Sequence, residues 1–196
     1  NGRTFNIVVN EYYENLSGSF VKGTDGGDVT GDGDLLPNSA IVLQANVADG
    51  FTFDNYYTSA DFKTIASIPS TIVEEELVYY AKFTRNSYVL NFVVDCESVQ
   101  ADNSIAHANA TVSRSGGKAT ATTSGGAVTY NSPSVNSSGL TTIKYGAAIG
   151  FSATKNSGFE YAIYPNDSYI SAITTVPTTM PSANTTYYVR YTRNYY

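Results

Sequence analysis

The sequence predicts a mainly β protein built as two tandem, small, β-rich repeat domains, and three observations carry that prediction. Short segments alternate apolar and polar residues with a period of two. The polar part is dominated by Asn, Ser, Thr and Gly, with 17 tyrosines and no tryptophan, a mix that fits pleated strands and turns better than helices. Blocks in the first half of the chain recur, in the same order, in the second half.

The elements follow from the blocks. Phe5-Asn6-Ile7-Val8-Val9-Asn10 matches Leu90-Asn91-Phe92-Val93-Val94-Asp95 at an offset of 85 residues. Phe5, Ile7 and Val9 point one way, as do Leu90, Phe92 and Val94. Gly26-Gly27-Asp28-Val29-Thr30 matches Gly125-Gly126-Ala127-Val128-Thr129 at an offset of 99. Ile41, Leu43 and Ala45 form a second inward set, matched by Ile149, Phe151 and Ala153 at 108. Gly50-Phe51-Thr52-Phe53 matches Gly158-Phe159-Glu160-Tyr161, again at 108. Tyr79-Tyr80-Ala81-Lys82-Phe83-Thr84-Arg85-Asn86 matches Tyr187-Tyr188-Val189-Arg190-Tyr191-Thr192-Arg193-Asn194. Here Tyr79, Ala81 and Phe83 point inward with Tyr187, Val189 and Tyr191. A one-residue slip would reverse every face, so agreement between copies fixes the register.

The growing offset places two insertions in the second copy, near 98–124 and 131–142, and the boundary falls between 1–86 and 87–196. The first insertion carries its own hairpin signal, Asn109 to Arg114 and Lys118 to Thr123 joined through Ser115-Gly116-Gly117. Asp61 to Ile68 has room for one or two helical turns. The junction has almost no linker, so the two units are expected to stack with limited freedom. Thr192-Arg193-Asn194-Tyr195-Tyr196 resembles the junction Thr84-Arg85-Asn86-Ser87-Tyr88, and reads as the start of a third unit or a strand reaching toward a neighbour.

Composition excludes several classes. The net charge is −6 and no run of basic residues occurs, which argues against nucleic acid and anionic membranes as partners. No apolar run approaches the length of a membrane-spanning helix. The chain opens on Asn1 with no Met and no signal peptide, as a processed protein or an excised segment does. Cys96 is the only cysteine, so no internal disulfide is available.

The order of these blocks, closing each time on a strand such as Tyr80-Ala81-Lys82-Phe83 after a turn such as Gly50-Phe51-Thr52-Phe53-Asp54-Asn55-Tyr56, resembles the divergent internalin-B-type B-repeat of bacterial and phage surface proteins. Tyr56 and Tyr164 stand where that family has Trp, and the insertions of the second copy depart from it. The resemblance implies a β-grasp-like unit in an extracellular array, on a cell or virion surface, with no catalytic residues.

Candidate sites are few. Asp28, Asp32 and Asp34 imitate the first half of a calcium loop, which needs oxygen ligands at alternate positions. The twelfth position is Ser39 rather than an acid, so a solvated hairpin tip competes with the calcium reading, and no other cofactor is implied. His107 lacks a second His or a Cys partner and reads as an exposed loop residue. Cys96 reads as packing rather than a nucleophile, and Glu74-Glu75-Glu76 as a solvated turn. Tyr12, Tyr13, Tyr56 and Tyr57 are candidate exposed contact residues, because tyrosine offers rigid amphipathic area to proteins and sugars. Sequons stand at Asn15, Asn109, Asn136, Asn166 and Asn184.

The expected function is a non-catalytic structural or adhesive module of an extracellular surface protein, filament or phage fibre. Its partners are neighbouring repeats or subunits of the same protein, with a glycan or a host surface protein as a further class. The alternative is a carbohydrate- or receptor-binding module that uses exposed tyrosines.

Overall fold

A computed structural model describes residues 2–115, 117–131 and 142–195. The chain divides into two compact units, Asn1–Asn86 and Ser87–Tyr196, each with its own sheets. No helix occurs among the described residues.

In the first unit the strands are β1 (Phe5–Glu14), β2 (Phe20–Lys22), β3 (Gly27–Thr30), β4 (Gly33–Leu35), β5 (Gln44–Val47), β6 (Phe51–Tyr57) and β7 (Leu77–Arg85). Alternation in β1 buries Phe5, Ile7 and Val9. β1 runs parallel to β7, with Ile7 opposite Leu77 and Tyr13 opposite Phe83. β6 lies antiparallel on the far side of β7, with a bulge between Phe53 and Asn55. The other edge of β1 takes β4 near its start and β2 near its end. β3 and β5 form a separate antiparallel pair. Tyr79, Ala81 and Phe83 of β7 are buried, and so are Val29, Ile41, Phe51 and Ile72.

The Gly26-Gly27 pair shows why that block tolerates no side chain. A Cβ on Gly26 would stand 2.7 Å from Phe83 Cβ and 2.8 Å from Tyr13 Cβ. Gly27 has φ +144°, and a Cβ there would stand 2.4 Å from the Asn46 carbonyl oxygen. The backbone is pressed against the buried Phe83 ring, which only glycine permits.

In the second unit the strands are β8 (Ser87–Val99), β9 (Ile105–Asn109), β10 (Ser113–Ser115), β11 (Lys118–Thr123), β12 (Gly126–Asn131), β13 (Thr142–Lys144), β14 (Gly150–Ala153), β15 (Phe159–Tyr164) and β16 (Thr185–Arg193). β8 runs parallel to β16, from Leu90 opposite Thr185 to Cys96 opposite Tyr191. β15 lies antiparallel on the far side of β16, and β13 and β9 pair with β8. The remaining strands form a second sheet in the order β10, β11, β12, β14. One core joins Leu90, Phe92 and Val94 of β8, Val189 and Tyr191 of β16, and Ala119, Ala121, Val128 and Tyr130 of the second sheet. The Tyr130 hydroxyl donates to the Leu90 carbonyl at 2.9 Å, and the Tyr191 hydroxyl donates to the Thr154 carbonyl at 2.6 Å. Both rings are buried with their polar ends satisfied.

Particular bonds recur at a spacing of 108 residues. Ile41 N–H donates to the Ser70 carbonyl in the first unit, and Ile149 N–H donates to the Thr178 carbonyl in the second. Asn86 N–H donates to the Gly50 carbonyl, and Asn194 N–H to the Gly158 carbonyl, both at 2.8 Å. Gly125 and Gly126 press on Tyr191 as Gly26 and Gly27 press on Phe83.

Three local expectations need adjustment. Asp61 to Ile68 forms no helical turn; Phe62 there adopts φ 55°, a left-handed conformation that a right-handed helix does not accommodate. The segment around Asp28 to Asp34 is not a hairpin tip. β3 pairs with β5 whereas β4 pairs with β1, so the chain turns a corner from one sheet to the other. The inserted hairpin is present as β10 and β11, but its first strand starts at Ser113, and Asn109 belongs to β9. Gly116 of its turn lies outside the described residues, and so do 132–141 within the second insertion, the sequon at Asn136, and Tyr196.

Candidate functional sites

The three aspartates at the corner are engaged with different neighbours. Asp28 Oδ1 accepts from the Asn46 side chain at 2.9 Å, Asp34 Oδ1 accepts from the Asn6 side chain at 2.8 Å, and Asp32 Oδ2 accepts from Val9 N–H at 3.4 Å. Among the described residues, no group of three His, Cys, Asp or Glu could hold a metal ion.

The candidate contact tyrosines are more enclosed than free surface residues. Tyr57 is buried at 8% exposure, and its hydroxyl donates to Asp54 Oδ2 at 2.8 Å; that corrects its placement as an exposed residue. Tyr57 stands opposite Tyr80 on the outward side of β7, and the Phe62 ring covers it there at 5.4 Å. Tyr12, Tyr13 and Tyr56 are half-buried. Tyr12 packs on Phe62 and Tyr80, Tyr13 on Phe51, and Tyr56 on Phe53. Burial, then the nearby Asp25, raises the Tyr13 phenol above its usual value. Burial, then the Asp32 charge, does the same for Tyr56.

Alternation missed a cation held among aromatic rings on the outer face of the first unit's larger sheet. Lys82 Nζ lies 4.7 Å from the Phe20 ring centre, 5.2 Å from Phe62 and 5.7 Å from Tyr57. Asp54 lies 3.4 Å away. The outer face of the second unit carries a related cluster. Arg190 stacks 3.5 Å from the Tyr169 ring centre and bonds Asp95 Oδ2 at 3.0 Å. Tyr169 packs edge-on against Tyr164 and Tyr188. Phe62 and Tyr169, the capping aromatics, both have positive φ, 55° and 52°. The one available signal was a basic residue at the same outward position of both closing strands, Lys82 and Arg190.

Asp95 is buried at 5% exposure, and its Oδ1 lies 2.9 Å from His107 Nδ1. His107 therefore belongs to a strand and a hydrogen-bonded cluster rather than to a loop, with its side chain 34% exposed. A buried carboxylate orienting an imidazole is half of a nucleophile-activating relay. Cys96 does not supply the other half. Cys96 follows Asp95 in the same strand, so its side chain points to the opposite face. Its thiol is buried 3.4 Å from the Ser124 hydroxyl. Glu74, Glu75 and Glu76 lie exposed on a bend before β7.

One open cleft of about 430 Å³ runs along β15 and is lined by Lys155, Glu160, Tyr161, Ile163, Ile173 and Thr174, among others. Lys155 Nζ contacts both Glu160 carboxylate oxygens at 2.7 Å. Tyr161 is 36% exposed beside them.

The architecture is mainly β, with separate sheets in each unit. Residues 20–87 match the family model of the divergent InlB B-repeat domain, a span from β2 to the first residue of β8. That family is one of structural repeats typical of cell-surface proteins and is not known as enzymatic. No curated protein matches the chain, and no solved structure matches it. No helix among the described residues is long and apolar enough to cross a membrane.

Proposed function

We propose that the chain is a non-catalytic structural or adhesive segment of an extracellular surface protein, filament or phage fibre, made of two copies of one B-repeat-like module. The observation that carries this reading is the family match over 20–87 together with a second strand frame of the same order in 87–196. Both frames place the entering strand parallel to the leaving strand, and both set a double glycine against the leaving strand's buried aromatic. Neighbouring repeats or subunits of the same protein are its proposed partners. Immunogold labelling of source cells or virions with antibodies to the purified chain tests the reading. Label on the outer surface is expected; label confined to the interior overturns it.

A second reading, recognition of a glycan or receptor, draws on the β15 cleft rather than on Tyr57. Tyr161 offers a partly open ring face, and Lys155, Glu160 and Thr174 offer polar groups around it. Binding to a glycan panel that is lost in Tyr161→Ala supports this reading, and an empty panel removes it.

A further inference from the structure

The geometry points to a load-bearing function: in each unit the parallel pair of entering and leaving strands is a mechanical clamp that resists tension along the chain. The purpose of such a clamp rests on the surface-module reading above; its existence does not, and it is measurable separately.

The argument begins with strand direction. Chain tension enters the first unit at the start of β1 and leaves at the end of β7. Because the two strands are parallel, the start of β1 lies beside the start of β7 (Ile7 opposite Leu77) and the end of β7 lies beside the end of β1 (Tyr13 opposite Phe83). The load therefore acts on opposite ends of the pair, along the strand axes. It shears the two strands past each other, and the evenly spaced bonds of a parallel ladder are loaded together rather than one at a time. Had the strands been antiparallel, the same tension would have pulled on one end and opened the ladder bond by bond. The second unit repeats the arrangement from Leu90 opposite Thr185 to Cys96 opposite Tyr191.

Three further features strengthen the pair where the load falls. The clamp strands are interior to their sheets: β1 and β7 are flanked by β4, β2 and β6, and β8 and β16 by β13, β9 and β15. Flanking strands keep water from the loaded bonds. The inward side chains of the pair, Val9, Tyr79, Ala81 and Phe83 in one unit and Phe92, Val94, Val189 and Tyr191 in the other, are buried, so sliding drags apolar groups out of a packed core. Side chains also tie one strand or its flank to the other across the pair. Arg85 Nε donates to the Glu14 carbonyl at 3.0 Å. In the second unit Val89 N–H donates to Asn184 Oδ1 at 2.8 Å at one end, Arg193 N–H donates to Glu97 Oε2 at 2.7 Å at the other, and Arg190 bonds Asp95 between them.

Single-molecule force spectroscopy on the full 196-residue chain tests the clamp. Forced unfolding reads the barrier rather than the equilibrium stability. Pulling end to end should give two steps whose length gains, before subtraction of the folded spans, are roughly 300 and 380 Å at about 3.5 Å per residue. The direction of pull is then changed for one unit only. In a Cys96→Ala background, a handle on Ser17→Cys, in the exposed turn after β1, replaces the N-terminal handle. Tension on the first unit now acts on the adjacent ends of β1 and β7 and peels them apart, while the second unit is still sheared. The expected result is a several-fold fall in the first unit's unfolding force with the second unit's force unchanged. Equal forces for the first unit in both directions overturn the clamp. As a second measurement, Asn184→Ala removes the tie at the start of β8 and should lower only the larger step in end-to-end pulling; an unchanged larger step counts against the ties. Low force with surface labelling intact removes the clamp and leaves the module, whereas high force with interior labelling does the reverse.

Discussion

Replacing Gly126 by alanine puts a methyl group where two constraints meet. The residue has φ +149°, a region L residues rarely enter, and its Cβ would stand 2.0 Å from the Thr154 carbonyl oxygen and 2.9 Å from Tyr191 Cε1. Overpacking a core costs about 1–3 kcal/mol, and holding a side chain in a glycine-only conformation costs about 1–3 kcal/mol more. The substitution should therefore destabilise the second unit by about 4 kcal/mol, or roughly three decades in its unfolding equilibrium. Gly158→Ala separates the two terms. That residue also has positive φ, +83°, but nothing lies within 4 Å of its Cβ, so only the conformational part, about 1–2 kcal/mol, applies. Hydrogen exchange read by mass spectrometry on peptides covering β12, β14 and β16 gives both values in the intact chain. Equal costs for the two substitutions would refute the claim that Gly126 is there to let the backbone close on Thr154 and Tyr191.

Further outcomes follow from the buried polar groups. Burial first, then the neighbouring Tyr161 and Cys96, pushes the Tyr191 phenol up to about 12. The folded unit therefore holds this proton longer than the unfolded chain does. The associated stability is complete below pH 10 and is lost as pH rises from about 10 to 12, roughly 3 kcal/mol in all. Tyr191→Phe, although weaker at pH 8 by about 1–2 kcal/mol for the lost bond to Thr154, should lose less across that alkaline window in guanidinium titrations; an identical loss contradicts the assignment. Asp95→Asn leaves Arg190 and His107 without their shared carboxylate and should cost about 2 kcal/mol, less than a fully buried pair because both partners are partly exposed. A urea midpoint unchanged from the parent would remove the cluster from the account. Millimolar calcium or a chelator should leave the melting temperature unmoved, since Asp28 and Asp34 sit on different sheets and bond Asn46 and Asn6; a rise of several degrees with calcium would restore the aspartates as ligands.

Much of the fold was legible because strand faces repeat with period two. Phe5, Ile7, Val9, Tyr79, Ala81 and Phe83 are all buried as alternation predicts, and so are Leu90, Phe92, Val94, Tyr187, Val189 and Tyr191. The double glycines were legible as a repeated block, but their cause was not, because a close approach to Phe83 or Tyr191 is a long-range contact. Tyr57 was misplaced because the Phe62 ring packs on it at 5.4 Å and covers the outer face there. The aromatic clusters were not legible for the same reason. Phe62 and Tyr169 lie in loops without periodicity, and only their left-handed backbone turns them back over Lys82 and Arg190. The pairing of Asp95 with His107 and Arg190 joins three strands, and local sequence holds no record of that juxtaposition.

The most direct test of two copies of one module is to express residues 1–86 and 87–196 separately and record amide correlation spectra of each by NMR. Each piece should fold alone, with dispersed peaks that superpose on those of the intact chain away from the cut. Each should also show its own network of contacts between parallel entering and leaving strands. Collapsed, poorly dispersed spectra from the 87–196 piece would contradict the account, because a unit with its own core and its own closed strand frame has no need of the other to fold.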